Sequence, residues 1–289
     1  MAVTLEGGCR VSDMREGEPV VNGGVRIWNQ IGKATGARAI SLRVMEFAPG
    51  VSPGISNGDC DEILYVLPHG AESAKYNSQG QARSASPLDQ VSYRCPHPEG
   101  ILEDPQGMKL IIDGTPFQVS GDTGIYIRPQ QSFAIDNPNS EPVLVISSRC
   151  PDPNRAQEFV DSSSVNPASR SDAPKPFVRL ADRAPQSTAD RWYRVLVDDE
   201  VGSQQVTQFV GSIPPGRAPD HFHAYEEVLF ILKGEGRMWA GESNTPIGVG
   251  SCIFLPKRQI HCVENTGEGE LRLLGVFYPA GSPSVRYDV

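Results

Sequence analysis

The 289-residue chain carries 26 Lys and Arg against 35 Asp and Glu, a formal charge of −9 with a pI near 5.1. That balance repels a phosphate backbone, and no local Lys/Arg cluster offsets it, so nucleic acid is not an expected partner. With 38% hydrophobic and 21% charged residues the composition is globular. The 29 Gly and 25 Pro exceed the roughly 12% of average usage, which favours short strands joined by tight turns.

The opening segment MAVTLEGGCRVSDMREGEPV lacks the apolar core of a secretory signal. No apolar run approaches the roughly 18 residues that span a bilayer, so a soluble, cytoplasmic protein without a membrane partner is expected. Beyond it, β-rich runs bounded by Gly, Pro, Asn and Asp follow one another: RAISLRVMEFAPG, DEILYVLPHG, MKLIIDG, GIYIRP and VLVISS. A stretch of roughly residues 71–106 interrupts them before MKLIIDG. A connection that long is usually functional, so it reads as a lid or a subunit contact. Residues 151–176, PDPNRAQEFVDSSSVNPASRSDAPKP, are dense in Pro, Ser, Asp and Asn and read as a linker. Strand signals then resume with QVTQFVGSIPPG, EVLFILKGEG, SCIFLP and ELRLLGVFYP. Long amphipathic helical patterns are largely absent.

The two halves resemble each other. MEFAPG followed by DEILYVLPHG parallels GSIPPG followed by EEVLFILKGEG, and IYIRPQQSFAIDN parallels IFLPKRQIHCVEN. A repeat of about 150 residues implies duplication of a whole domain. The expected architecture is therefore all-β, with an N-terminal unit over 1–150, the linker 151–176, and a C-terminal unit over 177–289.

Chemistry concentrates in PGRAPDHFHAYEEVLFILKGEG, residues 215–236. Alternation along a strand sends the side chains of His221 and His223 to one face and Phe222 to the other. After a short turn Glu227, Leu229 and Ile231 share a face, so Glu227 joins the imidazoles if its strand folds back beside theirs. A third His, His261, follows 38 residues beyond His223. Three imidazoles and one carboxylate suit a divalent first-row metal. Cys262 points away from this set by parity and is excluded as a ligand. Six cysteines (Cys9, Cys60, Cys95, Cys150, Cys252, Cys262) lack C-x-x-C spacing and read as buried reduced thiols. The other two histidines, His69 and His97, lie at a turn and in the insertion without partner ligands.

These segments resemble the cupin superfamily. The match runs through Gly216, His221, His223, Glu227 and Gly234, with three residues between His223 and Glu227 and six between Glu227 and Gly234. A second motif runs through Gly250, Pro256, His261 and Asn265, with gaps of five, four and three residues. Two positions depart from the family pattern. Four residues rather than the usual five separate Gly216 from His221, and Arg258 stands where the family has a turn glycine. Arg258 must then adopt positive φ, or the turn is rebuilt. Aligned on Glu62, the first half has Ser56 and Gly58 at the two His positions and Phe133 or Ala134 at the third, so it is not expected to bind metal in that way.

The resemblance implies a bicupin of two tandem jelly-roll barrels, the first degenerate. The second would hold one divalent metal (Fe, Mn, Ni, Cu or Zn) through His221, His223, Glu227 and His261. It includes quercetinase-like dioxygenases, which implies oxygen insertion into a small enediol- or diketone-like metabolite, with Glu227 either a permanent ligand or a base. Two alternatives stay open: a non-redox isomerase, lyase or hydrolase of a sugar or keto acid, and a binding protein without turnover. Glu226 is expected to face solvent or to hold a ligand His in place. Phe222, Tyr225, Phe230, Trp239 and Phe254 read mostly as core, and either Met238 or Trp239 should line the barrel. Arg237, Lys257 and Arg258 read as surface charges. Exposed sheet edges make a homodimer the expected assembly.

Overall fold

The computed structural model describes residues 1–68, 107–161 and 174–285, and the backbone of 287–288. The expected insertion, His69, His97 and Cys95 lie outside the described residues. Helical structure among the described residues is limited to four single 3-10 turns, and the rest of the regular structure is antiparallel strand.

Each half is a jelly-roll barrel of two facing sheets. The larger sheet of the N-terminal barrel runs Phe177–Arg179, Thr123–Ile127, Asp61–Val66, Val143–Cys150, Leu42–Phe47, Val25–Ile31 and Val20–Asn22. In the C-terminal barrel it runs Val3–Thr4, Arg10–Asp13, Ser251–Leu255, Glu226–Lys233, Leu271–Tyr278, Thr207–Ile213, Arg191–Val197 and Gln186–Thr188. The facing sheet there comprises Ser243–Gly248, Glu235–Ala240, His261–Asn265, His221–Phe222 and Tyr287–Asp288, with Gly216–Arg217 beside His261–Asn265.

Alternation along the strands separates three cores. Leu229 and Ile231 point into the C-terminal barrel with Met238, Ile253 and Leu273. Val228 and Phe230, on the other face of the same strand, pack with Phe254, Val210 and Leu274 against Trp28, Ile63 and Tyr65 of the N-terminal barrel. The two large sheets thus share a continuous apolar core, and each such side chain withdrawn from water contributes about 1.5–3 kcal/mol. At one crossing a side-chain carbon on Gly124 would sit 2.7 Å from Leu196 Cβ, so glycine there permits the close approach.

Three segments pair outside the half in which the sequence places them. Arg10–Asp13, within the expected unit 1–150, pairs with Ser251–Leu255 of the C-terminal barrel. Glu158–Val160, within the expected linker 151–176, pairs with Gly54–Ser56, and Phe177–Arg179 pairs with Thr123–Ile127. Each covers backbone N–H and C=O groups that would otherwise line a bare sheet edge.

Candidate metal centre

Two paired strands bring the histidines together. His221 sits directly opposite His261 in the ladder between His221–Phe222 and His261–Asn265, and His223 follows two residues on. Their ring centroids lie 4.6–5.2 Å apart, and one nitrogen from each of the three falls within 4.8 Å of the others. Glu227 enters from the facing sheet, its Oε2 3.3 Å from His223 Nε2. Met238 and Phe277 are fully buried beneath the site, and Tyr225 stacks between the His223 and Phe277 rings at 4.9 and 4.5 Å.

The donor set fits a transition-metal cation on its own chemistry. His221 Nδ1 lies 3.0 Å from the Pro219 carbonyl, and His261 Nδ1 lies 2.8 Å from the Gln259 carbonyl. A carbonyl only accepts, so each Nδ1 carries the proton and each Nε2 presents a lone pair. Burial, followed by the neighbouring His221, lowers His223 to about 4 and His261 to about 3, keeping both neutral at pH 7. Burial alone pushes Glu227 up to about 8. No Lys or Arg among the described residues pairs with it, so a cation among the imidazoles would neutralise this carboxylate.

The turn before His261 shows how the sequence accommodates its departure from the motif. Arg258 adopts φ +65°, the left-handed conformation that the glycine position demands, and its N–H donates to the His223 carbonyl at 2.8 Å. The turn therefore survives without glycine, at a cost of order 1 kcal/mol, and ties the two His-bearing segments together.

Several side chains fall where parity placed them. Cys262 turns away from the site and accepts from Arg217 Nε at 3.2 Å, and five of the cysteines are buried. Met238 rather than Trp239 lines the barrel; Trp239 lies under the Arg217 guanidinium and donates to Glu264 at 2.8 Å. Arg237, Lys257 and Arg258 are exposed. Glu226 differs from expectation: it neither faces solvent nor touches a histidine. It is 9% exposed and accepts the backbone N–H groups of Arg38 and Ala39 at 3.0 and 2.7 Å. Parity sends it to the face covered by the N-terminal barrel, and there it satisfies a loop of that barrel.

In the N-terminal barrel the equivalent place is filled. Ile55 pairs with Phe133, both buried, where His221 pairs with His261. The aligned position is Ile55 rather than Ser56, because the turn before Glu62 is one residue longer than the turn before Glu227. Glu62 meets the guanidinium of Arg43 in a fully buried ion pair, joined by Ser147 at 2.7 Å from Glu62 and by Gln157. Arg43 is one charged residue in the run RAISLRVMEFAPG, and nothing in that run signals that it lies inside the barrel.

The C-terminal histidines and Glu227 open onto a cavity of about 140 Å³. Its walls are largely apolar, with Phe209, Leu229, Leu255, Val263 and Leu273, and Thr188, Arg191 and Ser284 at polar positions.

A family model described as a cupin domain matches residues 209–277, the heart of this barrel. That barrel is a cupin domain by sequence, and the two barrels together have the fold of a bicupin. Its sequence is 32% identical over 83 residues to auxin-binding protein 1 of Arabidopsis thaliana, covering 25% of the bicupin and 42% of that protein. It is 36% identical over 66 residues to an oxalate-binding protein of Thermotoga maritima, covering 22% and 54%. The bicupin thus spans about half the length of these curated relatives. Among solved structures, a Bacillus subtilis oxalate decarboxylase superposes with a TM-score of 0.65 at 13% identity, over 93% of this chain and 76% of that one. Protein Ylba from E. coli superposes at 0.64 and 11% identity, over 98% and 96%. A putative glyoxylate-induced protein from Pseudomonas aeruginosa superposes at 0.63 and 14%, over 96% and 91%. At these identities the likeness is one of fold. No helix among the described residues is long and apolar enough to cross a membrane.

Proposed function

We propose that the C-terminal barrel holds one divalent transition metal through His221, His223, His261 and Glu227, and that the bicupin uses it to transform a small oxygen-rich metabolite. The observation that carries this reading is the convergence of three imidazoles and one buried carboxylate, which no described Lys or Arg meets, on a cavity of about 140 Å³. When bound, such an ion supplies Lewis acidity and two open positions, enough for vicinal substrate oxygens or for substrate and O2.

The chain's own groups supply the rest. His221 and His261 are held in one tautomer by backbone carbonyls, and the stack through Tyr225 fixes the His223 ring plane. The apolar walls exclude water and confine the substrate to a few heavy atoms. Glu227 is the carboxylate that can take a proton at Oε2 and return it near neutral pH when released from coordination.

The reading favoured from the motifs is dioxygenase-type oxidation. The second is a non-redox lyase or isomerase reaction, supported by the proton affinity of Glu227 and by curated similarity to a protein whose name specifies oxalate. Turnover of candidate enediols and oxyacids with and without O2 separates them: oxidation requires loss of turnover under strict anaerobiosis, whereas unchanged anaerobic turnover selects the non-redox reaction. Tight substrate binding without turnover in either atmosphere would leave a binding protein.

A further inference from the structure

The mouth of the cavity is a β-hairpin outside both His-bearing motifs. Gln186–Thr188 pairs with Arg191–Val197, and Thr188 lies directly opposite Arg191. Cross-strand partners project to the same side, so the Thr188 hydroxyl and the Arg191 guanidinium stand together. The next pair, Gln186 and Tyr193, shares a hydrogen bond of 2.9 Å, and Tyr193 belongs to the barrel core, which shows that this is the inward face. Trp192, between Arg191 and Tyr193, packs against the inter-barrel core instead.

Among the described residues, Arg191 is the one Lys or Arg on the cavity wall. Its side chain is 19% exposed, and its Nε is buried without a hydrogen bond. The acidic group beside it is the adjacent Asp190, 67% exposed and 3.5 Å from Nε, a solvent-screened contact of little energetic weight. A guanidinium withdrawn from water on an apolar wall loses hydration that a ligand must restore. One guanidinium with one hydroxyl matches a carboxylate, whose two oxygens take parallel N–H donors. A phosphate dianion calls for more donors than this wall offers.

We infer that Arg191 and Thr188 form a carboxylate-recognition subsite at the mouth of the metal cavity. The substrate is then a small acid that offers chelating oxygens at one end and a carboxylate at the other. This rests on the metal reading above and extends it to the substrate's charge. The anion is drawn inward although the chain as a whole is negative, because the low-dielectric walls strengthen the field of the Arg191 guanidinium.

Calorimetric titration with three probes tests it: glycolate, which has a chelating end alone, and tartronate and malate, which add a second carboxylate at increasing distance. The variants are Arg191→Met and Arg191→Lys, with Arg191→Gln in reserve if the first does not fold. Tartronate or malate should bind the wild type more tightly than glycolate. Arg191→Met should cut that affinity roughly tenfold or more while leaving glycolate within about twofold, and Arg191→Lys should fall between, since charge-assisted hydrogen bonds carry effects of that size. Equal affinity for all three acids in the wild type, no binding at millimolar concentration, or an unchanged affinity in Arg191→Met overturns the subsite. Metal counted in the same samples keeps the two readings apart. Diacid binding that depends on Arg191 in protein without metal supports the subsite and contradicts the metal centre; full metal with no dependence on Arg191 does the reverse.

Discussion

Arg43 and Glu62 form their buried ion pair at the ladder positions that Phe209 and Glu227 occupy in the other barrel. Arg43 pairs with Ser147 as Phe209 pairs with Gly275, and Leu64 pairs with Ser147 as Leu229 pairs with Gly275. A side chain on Gly275 would collide with the Phe209 ring, whereas Ser147 donates to Glu62 and accepts from Arg43 at 2.8 Å. The duplicated barrels thus treat the same inward carboxylate differently: one supplies a guanidinium from its own sequence, and in the other no described Lys or Arg meets it.

Removing one partner of that pair strands a charge in an apolar interior. Arg43→Met or Glu62→Gln alone should destabilise the protein by about 3–5 kcal/mol in denaturant unfolding, and the double variant should recover much of the loss. Metal content should not change in any of the three. Additive losses in the double variant would show that the two side chains do not act as a pair.

Glu226 predicts a different kind of loss. Its carboxylate holds two N–H groups of the loop at Arg38 and Ala39, so Glu226→Ala should cost about 1–3 kcal/mol by leaving them unsatisfied beneath the interface. Faster amide exchange at residues 38–39, with metal content retained, is the expected signature. Loss of metal in this variant would return Glu226 to the role of supporting a histidine.

The metal-free protein should have a defined pH optimum. His223 and His261 are lowered from 6.5 to about 4 and about 3, so the stability linked to them is present above pH 6.5 and is lost as pH falls toward those values. Glu227 is raised from 4.5 to about 8, so its contribution is present below pH 4.5 and is lost as pH rises through 8. With two groups acting in one direction and one in the other, stability should climb to about pH 6.5 and decline between there and 8. Glu227→Gln should abolish the decline. Metal affinity should rise by up to about tenfold per pH unit toward pH 8, because the cation must displace the Glu227 proton. A decline that persists in Glu227→Gln would assign it to other groups.

The site was legible because strand parity is a local property. His221, His223 and Glu227 converge where alternation places them, and a motif position calling for positive φ appears at Arg258 as φ +65°. Less legible were features that depend on distant pairing. Nothing in Arg10–Asp13 announces that it will cover Ser251–Leu255, since any short polar-apolar strand can close an edge. Glu226 read as facing solvent or holding a ligand His, because parity separates it from Glu227 without saying that another barrel lies on that side. Arg43 was hidden for a similar reason: the charge that neutralises it comes from Glu62, on a strand two places away in the sheet.

Elemental analysis of wild type and His223→Ala tests for a single metal centre in the C-terminal barrel. Wild type should carry close to one equivalent of a transition metal per chain. His223→Ala should carry only background, with the cooperative unfolding of a folded protein, because His223 lines the cavity and is not part of the packed apolar core. Full metal occupancy in His223→Ala, or wild type that takes up no metal after reconstitution, would rule out a metal centre held by His223.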